Sequence, residues 1–138
     1  MSLHTGLLKL DTEGESQIVD LTEGVRRVVG ASGVGHGVAS VFVGGSTAAI
    51  TTMEYEPGGV ADLQGLLERL VPTAGDYEHN RANHDTNAHA HLRAAVIGPS
   101  ETVPLLEGHL ALGTWQQLVL IDFDDRPRHR EIHVQVLA

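Results

Sequence analysis

Residues 116–137 read QQLVLIDFDDRPRHREIHVQVL. Two strands separated by a turn account for this stretch. Gln116–Phe123 is the first strand candidate and Glu131–Leu137 the second. In the second, Ile132, Val134 and Val136 alternate with His133 and Gln135. Successive strand residues point to opposite faces, so this strand has one buried face. Asp124–Pro127 is the turn between them. Arg126, Arg128 and Arg130 cluster there beside Asp122, Asp124 and Asp125, and such mixed charge around a turn reads as a solvated surface.

Strands extend upstream. Thr102–Leu106 and His109–Leu112 are candidates, with a turn at Glu107–Gly108. Leu3–Leu10 alternates weakly and reads as a strand. Gln17–Asp20 pairs back after the turn Asp11–Ser16. The β-branched run 38–56, VASVFVGGSTAAITTMEYE, is interrupted at Gly44–Gly45, which suggests a bulge or a close backbone approach. Helices fit two segments. Leu21, Val25, Val28 and Val29 share one face of a helix over Leu21–Gly30, capped by Asp20 or Thr22 and ended by Gly30 and Gly33. Leu63, Leu66, Leu67 and Leu70 share one side of a helix over Val60–Leu70, which Pro72 ends. Strands dominate and helices intervene without strict alternation, so the class is α+β in one domain, residues 1–138.

Composition narrows the chemistry. At 138 residues the chain can bury roughly 65–70% of its unfolded surface and needs no staple. It has no cysteine, so disulfides, thiolate metal sites and cysteine nucleophiles are excluded. The formal net charge is −9, which leaves little material for a nucleic-acid-binding face. No long apolar run suggests a membrane span and no leader pattern is evident, so the expected setting is cytoplasmic. GASGVGHG at 30–37 faintly resembles a phosphate loop, but it leads out of a helix into a strand, the reverse of the required order.

The most suggestive chemistry lies in residues 77–93, YEHNRANHDTNAHAHLR. Four histidines gather there: His79, His84, His89 and His91. Neutral imidazole is the commonest zinc ligand, and three ligands plus an open position make a catalytic site. His89 and His91 are two apart. On a strand both face one ion; on a helix they diverge by about 200° and only one serves. Asp85, Thr86 and Asn87 are each good N-caps, so a helix starting just before the histidines is the second reading. Its free N–H groups would then form an anion site completed by His91 and Arg93. The plain alternative is a surface loop. In GTWQQ, residues 113–117, Trp115 reads either as a core aromatic or as a pocket wall. Thr47 and Glu54 read as ordinary strand surface.

Together, VFVGGSTAAITTMEYEP, Tyr77-Glu78-His79, NAHAHLRAAVIGPS and VPLLEGHLALGTWQQLVLIDFDDRPRHREIHVQVLA resemble the YjbQ family over nearly the whole chain. Some of its members are named secondary thiamine-phosphate synthases. The resemblance implies a twisted, mostly antiparallel sheet packed with two or three helices, a homotrimer, and a polar pocket near the histidines. That pocket would hold a divalent metal, zinc first, or a small phosphorylated molecule or anion. His79, His89 and His91 are the metal candidates; Glu54, Gln116 and Thr47 the catalytic candidates; Trp115 and Arg93 the binding candidates. Many members carry a histidine where this chain has Gly45, and His89 is the candidate replacement. Two functions follow. One is a transferase joining a pyrimidine diphosphate to a thiazole phosphate, expected to be a secondary activity because no basic pocket and no paired-carboxylate motif accompany it. The other is a non-catalytic trimer that binds a metal or an anion.

Overall fold

The computed structural model describes all 138 residues. The elements run β1 (Leu3–Thr12), β2 (Gln17–Asp20), α1 (Thr22–Ser32), β3 (Gly37–Val43), β4 (Ala48–Met53) and α2 (Pro57–Leu70). They continue α3 (Glu78–Asn83), α4 (Ala88–Ile97), β5 (Ser100–Leu106), β6 (His109–Leu110), β7 (Gln117–Asp122) and β8 (Arg128–Leu137). The class is α+β and every strand pairing is antiparallel. Four helices form rather than two or three, because the histidine-rich stretch supplies two of them.

The strands make two sheets. One has five strands in the order β1-β8-β3-β5-β6, the other three in the order β2-β7-β4. The turn at 124–127 therefore closes no hairpin. It carries the chain from β7 in the small sheet to β8 in the large one. Gly44–Gly45 acts likewise. The expected bulge is a crossover, with β3 in the large sheet and β4 in the small one. Gly45 sits at φ 122°, a conformation that L side chains rarely adopt.

The small sheet is the middle layer. On β7, Leu118 and Leu120 join the core shared with the large sheet and α1. Val119 and Ile121 face the other way, into the core formed with α2 and α4. Period-two alternation thus serves two cores at once. All four side chains are fully buried, each stabilising by roughly 1.5–3 kcal/mol relative to exposure. β2 and β4 flank β7 on both edges.

Local chemistry sets the helix ends. On α1, Val25 and Val29 are buried, and Gly33 at φ 69° closes the helix. α2 starts three residues before the expected Val60, because the Glu56 carboxylate accepts hydrogen bonds from the Gly58 and Gly59 amides and Pro57 suits the first turn. Its expected leucine face is only partly used. Leu67 is buried, while Leu66 and Leu70 remain exposed.

Candidate functional site

The stretch 77–93 forms two short helices joined at His84, which adopts a left-handed conformation at φ 50°. Asn87 occupies the N-cap position of α4, but its side chain makes no capping bond. The cap comes from α3 instead: the Ala88 amide donates to Asn80 Oδ1 at 3.0 Å. Asn87 Oδ1 lies 3.2 Å from His79 Nε2, which ties α3 to the start of α4. Asp85 Oδ2 stands 3.6 Å from the same nitrogen.

Because the second half is helical, His89 and His91 diverge. His91 faces outward, its ring centroid 4.7 Å from that of His79 with the planes tilted by 54°. The pair borders a cavity of about 330 Å³ with Tyr77, Glu78, Ala88 and Leu92. His91 also borders a second cavity, of about 240 Å³, with Gly45, Ser46, Ala48, Ala94, Ala95 and Pro99. One imidazole thus joins both cavities.

His89 lies elsewhere. It is only 1% exposed, and neither ring nitrogen has a hydrogen-bond partner. Burial, reinforced by the Arg93 charge, lowers its pKa below the ordinary histidine value. Its ring does not border the cavity that Gly45 lines beside His91. No three histidine or carboxylate side chains are arranged to hold a metal ion. One chain offers His79 and His91, whereas zinc sites use at least three protein ligands. Within a single chain the residues do not fit a zinc site.

Arg93 is spent on structure. Nε and Nη2 donate to the Val71 carbonyl, Nη1 to Ser16 Oγ, and Nη2 to Glu68 Oε2 at 2.7 Å. The side chain is 4% exposed and clamps α4 to the end of α2, with its donors engaged by protein oxygens. Trp115 is 71% exposed, contrary to the core reading, and borders neither histidine cavity. Gln116 donates from Nε2 to Thr52 Oγ1 and accepts at Oε1 from the Gly113 amide. Glu54 is exposed just beyond β4. Thr47 precedes β4 and Glu54 follows it, so seven residues of extended chain hold them roughly 20 Å apart. The structure therefore gathers His79 and His91, places Thr47 near Gly45, and leaves Glu54, Trp115 and Gln116 at the far end of the small sheet.

Thr47 belongs to a network that the sequence reading took for a solvated turn. Asp122 and Asp124 are fully buried and Arg130 is nearly so. Arg130 donates from Nε and Nη2 to the two Asp122 oxygens at 2.7 and 2.9 Å, a bidentate pair. Arg130 Nη2 also reaches Thr47 Oγ1, which in turn donates to Asp124 Oδ2. Thr12 donates to Asp122, and Arg128 to Asp124. Burial alone would raise the Asp122 carboxyl pKa. The bonds from Arg130, Thr12 and the Asp124 amide outweigh it and hold the group below the usual carboxylate range. Asp124 is likewise held low against its burial, by the Asp125 amide, Arg128 and Thr47. A carboxylate ending an otherwise apolar strand, followed by arginines at alternate positions, was the available signal.

Comparison with known proteins identifies the family and the fold. A family described as UPF0047 protein YjbQ-like matches residues 7–138. A UPF0047 protein of Methanothermobacter thermautotrophicus is 39% identical over 136 residues, covering 99% of this chain and 93% of that protein. One from Mycobacterium tuberculosis is 39% identical, covering 91% and 92%. The crystal structure of a YbjQ-like protein of unknown function from Sulfolobus solfataricus superposes with a TM-score of 0.90 at 32% identity, over 99% of both chains. A hypothetical protein from Aeropyrum pernix superposes equally well, with a TM-score of 0.90 at 34% identity over 97% and 98% of the two chains. The chain belongs to the YjbQ-like UPF0047 family.

Proposed function

We propose that the His79–His91 pair forms the binding pocket of this protein and that its ligand is a small phosphorylated molecule. The observation that carries this reading is the pairing itself. Two imidazoles from successive helices meet 4.7 Å apart over a cavity of about 330 Å³, within the range of small-molecule sites. Each imidazole has a ring N–H that can donate to an oxygen, so the pair suits an oxyanion ligand. A divalent metal such as zinc requires a further ligand from outside the chain.

A homotrimer is the assembly that we propose. Trp115, Val96 and Leu70 are each more than two-thirds exposed, and a neighbouring subunit is the natural cover for such residues. It is also what would bring Glu54, Trp115 and Gln116 to a histidine pocket that they do not reach within one chain. Light scattering on wild type and Trp115→Ser tests this: a trimer that weakens in the variant supports it, and a monomeric wild type removes it.

The pocket is tested by calorimetric titration of untagged protein with inorganic phosphate and, separately, with zinc. Phosphate binding lost in both His79→Ala and His91→Ala supports the reading. Stoichiometric zinc with no phosphate response would replace it with a metal site shared between subunits. The transferase activity is tested by incubation with the pyrimidine diphosphate and the thiazole phosphate. Product formed equally by wild type and His91→Ala would remove this pocket from that chemistry.

A further inference from the structure

Arg130 carries an unused hydrogen-bonding edge. Nε and Nη2 are committed to Asp122 and Thr47. Nη1 has no acceptor in the protein, although the side chain is only 7% exposed. It is not sealed off either: the only buried side-chain nitrogens or oxygens lacking a partner are those of His89. Nη1 therefore keeps an opening to solvent.

Gly45 lies beside that edge. A Cβ placed on Gly45 would lie 2.8 Å from Arg130 Nη1 and within 4 Å of no other atom outside its chain neighbours. Any side chain at position 45 would therefore abut this edge of the guanidinium. Gly45 and Ser46 also wall the cavity of about 240 Å³ that His91 borders. That volume is below the usual range for whole small-molecule ligands and suits a single charged group.

We infer that Arg130 Nη1, the Gly45–Ser46 bend and His91 form an oxyanion subsite, and that it takes the phosphate group of the bound molecule. This rests on the pocket reading above, since His91 is common to both cavities. The guanidinium is already fixed by its bidentate pair, so an incoming oxyanion meets an oriented donor with little ordering left to do. Asp122 offsets the formal charge of Arg130, so the subsite selects by hydrogen-bond geometry more than by charge. Ser46 adds a hydroxyl at the rim.

The test is calorimetric titration with inorganic phosphate, and in parallel with acetate, at matched ionic strength. Wild type is compared with Arg130→Lys, Gly45→Ala and His79→Ala, each first checked for folding by circular dichroism. Arg130→Lys keeps a cation for Asp122 and removes Nη1; Gly45→Ala keeps the guanidinium and crowds its free edge with a methyl group 2.8 Å from Nη1. Loss of a charge-assisted bond predicts roughly tenfold weaker phosphate binding in each. If Arg130→Lys does not fold, Gly45→Ala decides alone. Affinity within twofold of wild type in the folded variants overturns the inference, as does a wild type that binds no phosphate. Acetate binding as tightly as phosphate would overturn the assignment to phosphate. Binding lost in His79→Ala but kept in the other two refutes the subsite and leaves the pocket reading standing. The reverse pattern supports the subsite and refutes the His79 pocket.

Discussion

Replacing His89 with leucine should make the protein more stable. The ring is 1% exposed and neither nitrogen has a partner. A neutral imidazole carries one donor and one acceptor, and each costs about 1–3 kcal/mol when buried unsatisfied. Leucine is of similar volume and removes both, while the change of shape costs under about 1.5 kcal/mol. The expected net gain is about 2 kcal/mol, or a rise in Tm of roughly 6–10 °C for a chain of this size. The gain should grow in mild acid. Burial and Arg93 lower the folded-state pKa of His89, so the unfolded chain takes up its proton first. Wild-type stability is then full above the ordinary histidine pKa and falls as pH drops toward the depressed folded value. His89→Leu should lose that part of the slope. Urea titrations at pH 8 and pH 5.5 measure both effects. A variant less stable than wild type at pH 8, with the same loss on acidification, would refute the reasoning and mean that an ordered water satisfies the ring.

Three further outcomes are expected. Asp122 and Asp124 have lowered folded-state pKa values, so their stabilisation is present above the ordinary carboxylate range and is lost as pH falls below it. Asp122→Asn should flatten the acid limb of a pH–urea profile and cost about 3 kcal/mol at neutral pH by leaving Arg130 unpaired; an unchanged limb would contradict this. Arg93→Met should cost about 3 kcal/mol in urea, because four hydrogen bonds joining α4 to Ser16, Glu68 and Val71 are lost, yet leave phosphate affinity unaltered. Asn80→Ala removes the cap on Ala88 and should cost about 1 kcal/mol, visible as faster amide exchange in the first turn of α4.

Much of the architecture was legible in the sequence because its signals are local. The alternation at Ile132, Val134 and Val136 places that strand, and Gly33 ends α1 as expected, although the helix runs through the other expected stop, Gly30, to Ser32. The partition into two sheets was not legible. Gly44–Gly45 and residues 124–127 each pass the chain from one sheet to the other, and nothing local distinguishes that from a bulge or a tight turn. The histidine site was half legible. Spacing drew attention to His79 and His91, but only the helical conformation of 88–97 separates His91 from His89. Arg93 looked like an anion ligand because its partners Ser16 and Val71 are distant in sequence. The buried Asp122–Arg130 pair escaped for a related reason. Charges alternating around a turn usually mean solvent, and here the crossover between sheets encloses them.

The position of β7 bears on how the native molecule opens. It is the only strand with a partner on each edge of the small sheet and a separate core on each face. An opening that spares either core leaves its central amides protected. Hydrogen exchange at Val119, Leu120 and Ile121 should therefore track complete unfolding, while β6, two residues at the edge of the large sheet, exchanges through local fraying. A small molecule that stabilises the fold from α4, whose Ala90 and Ala94 share the outer core with Val119 and Ile121, would slow the exchange of those three amides.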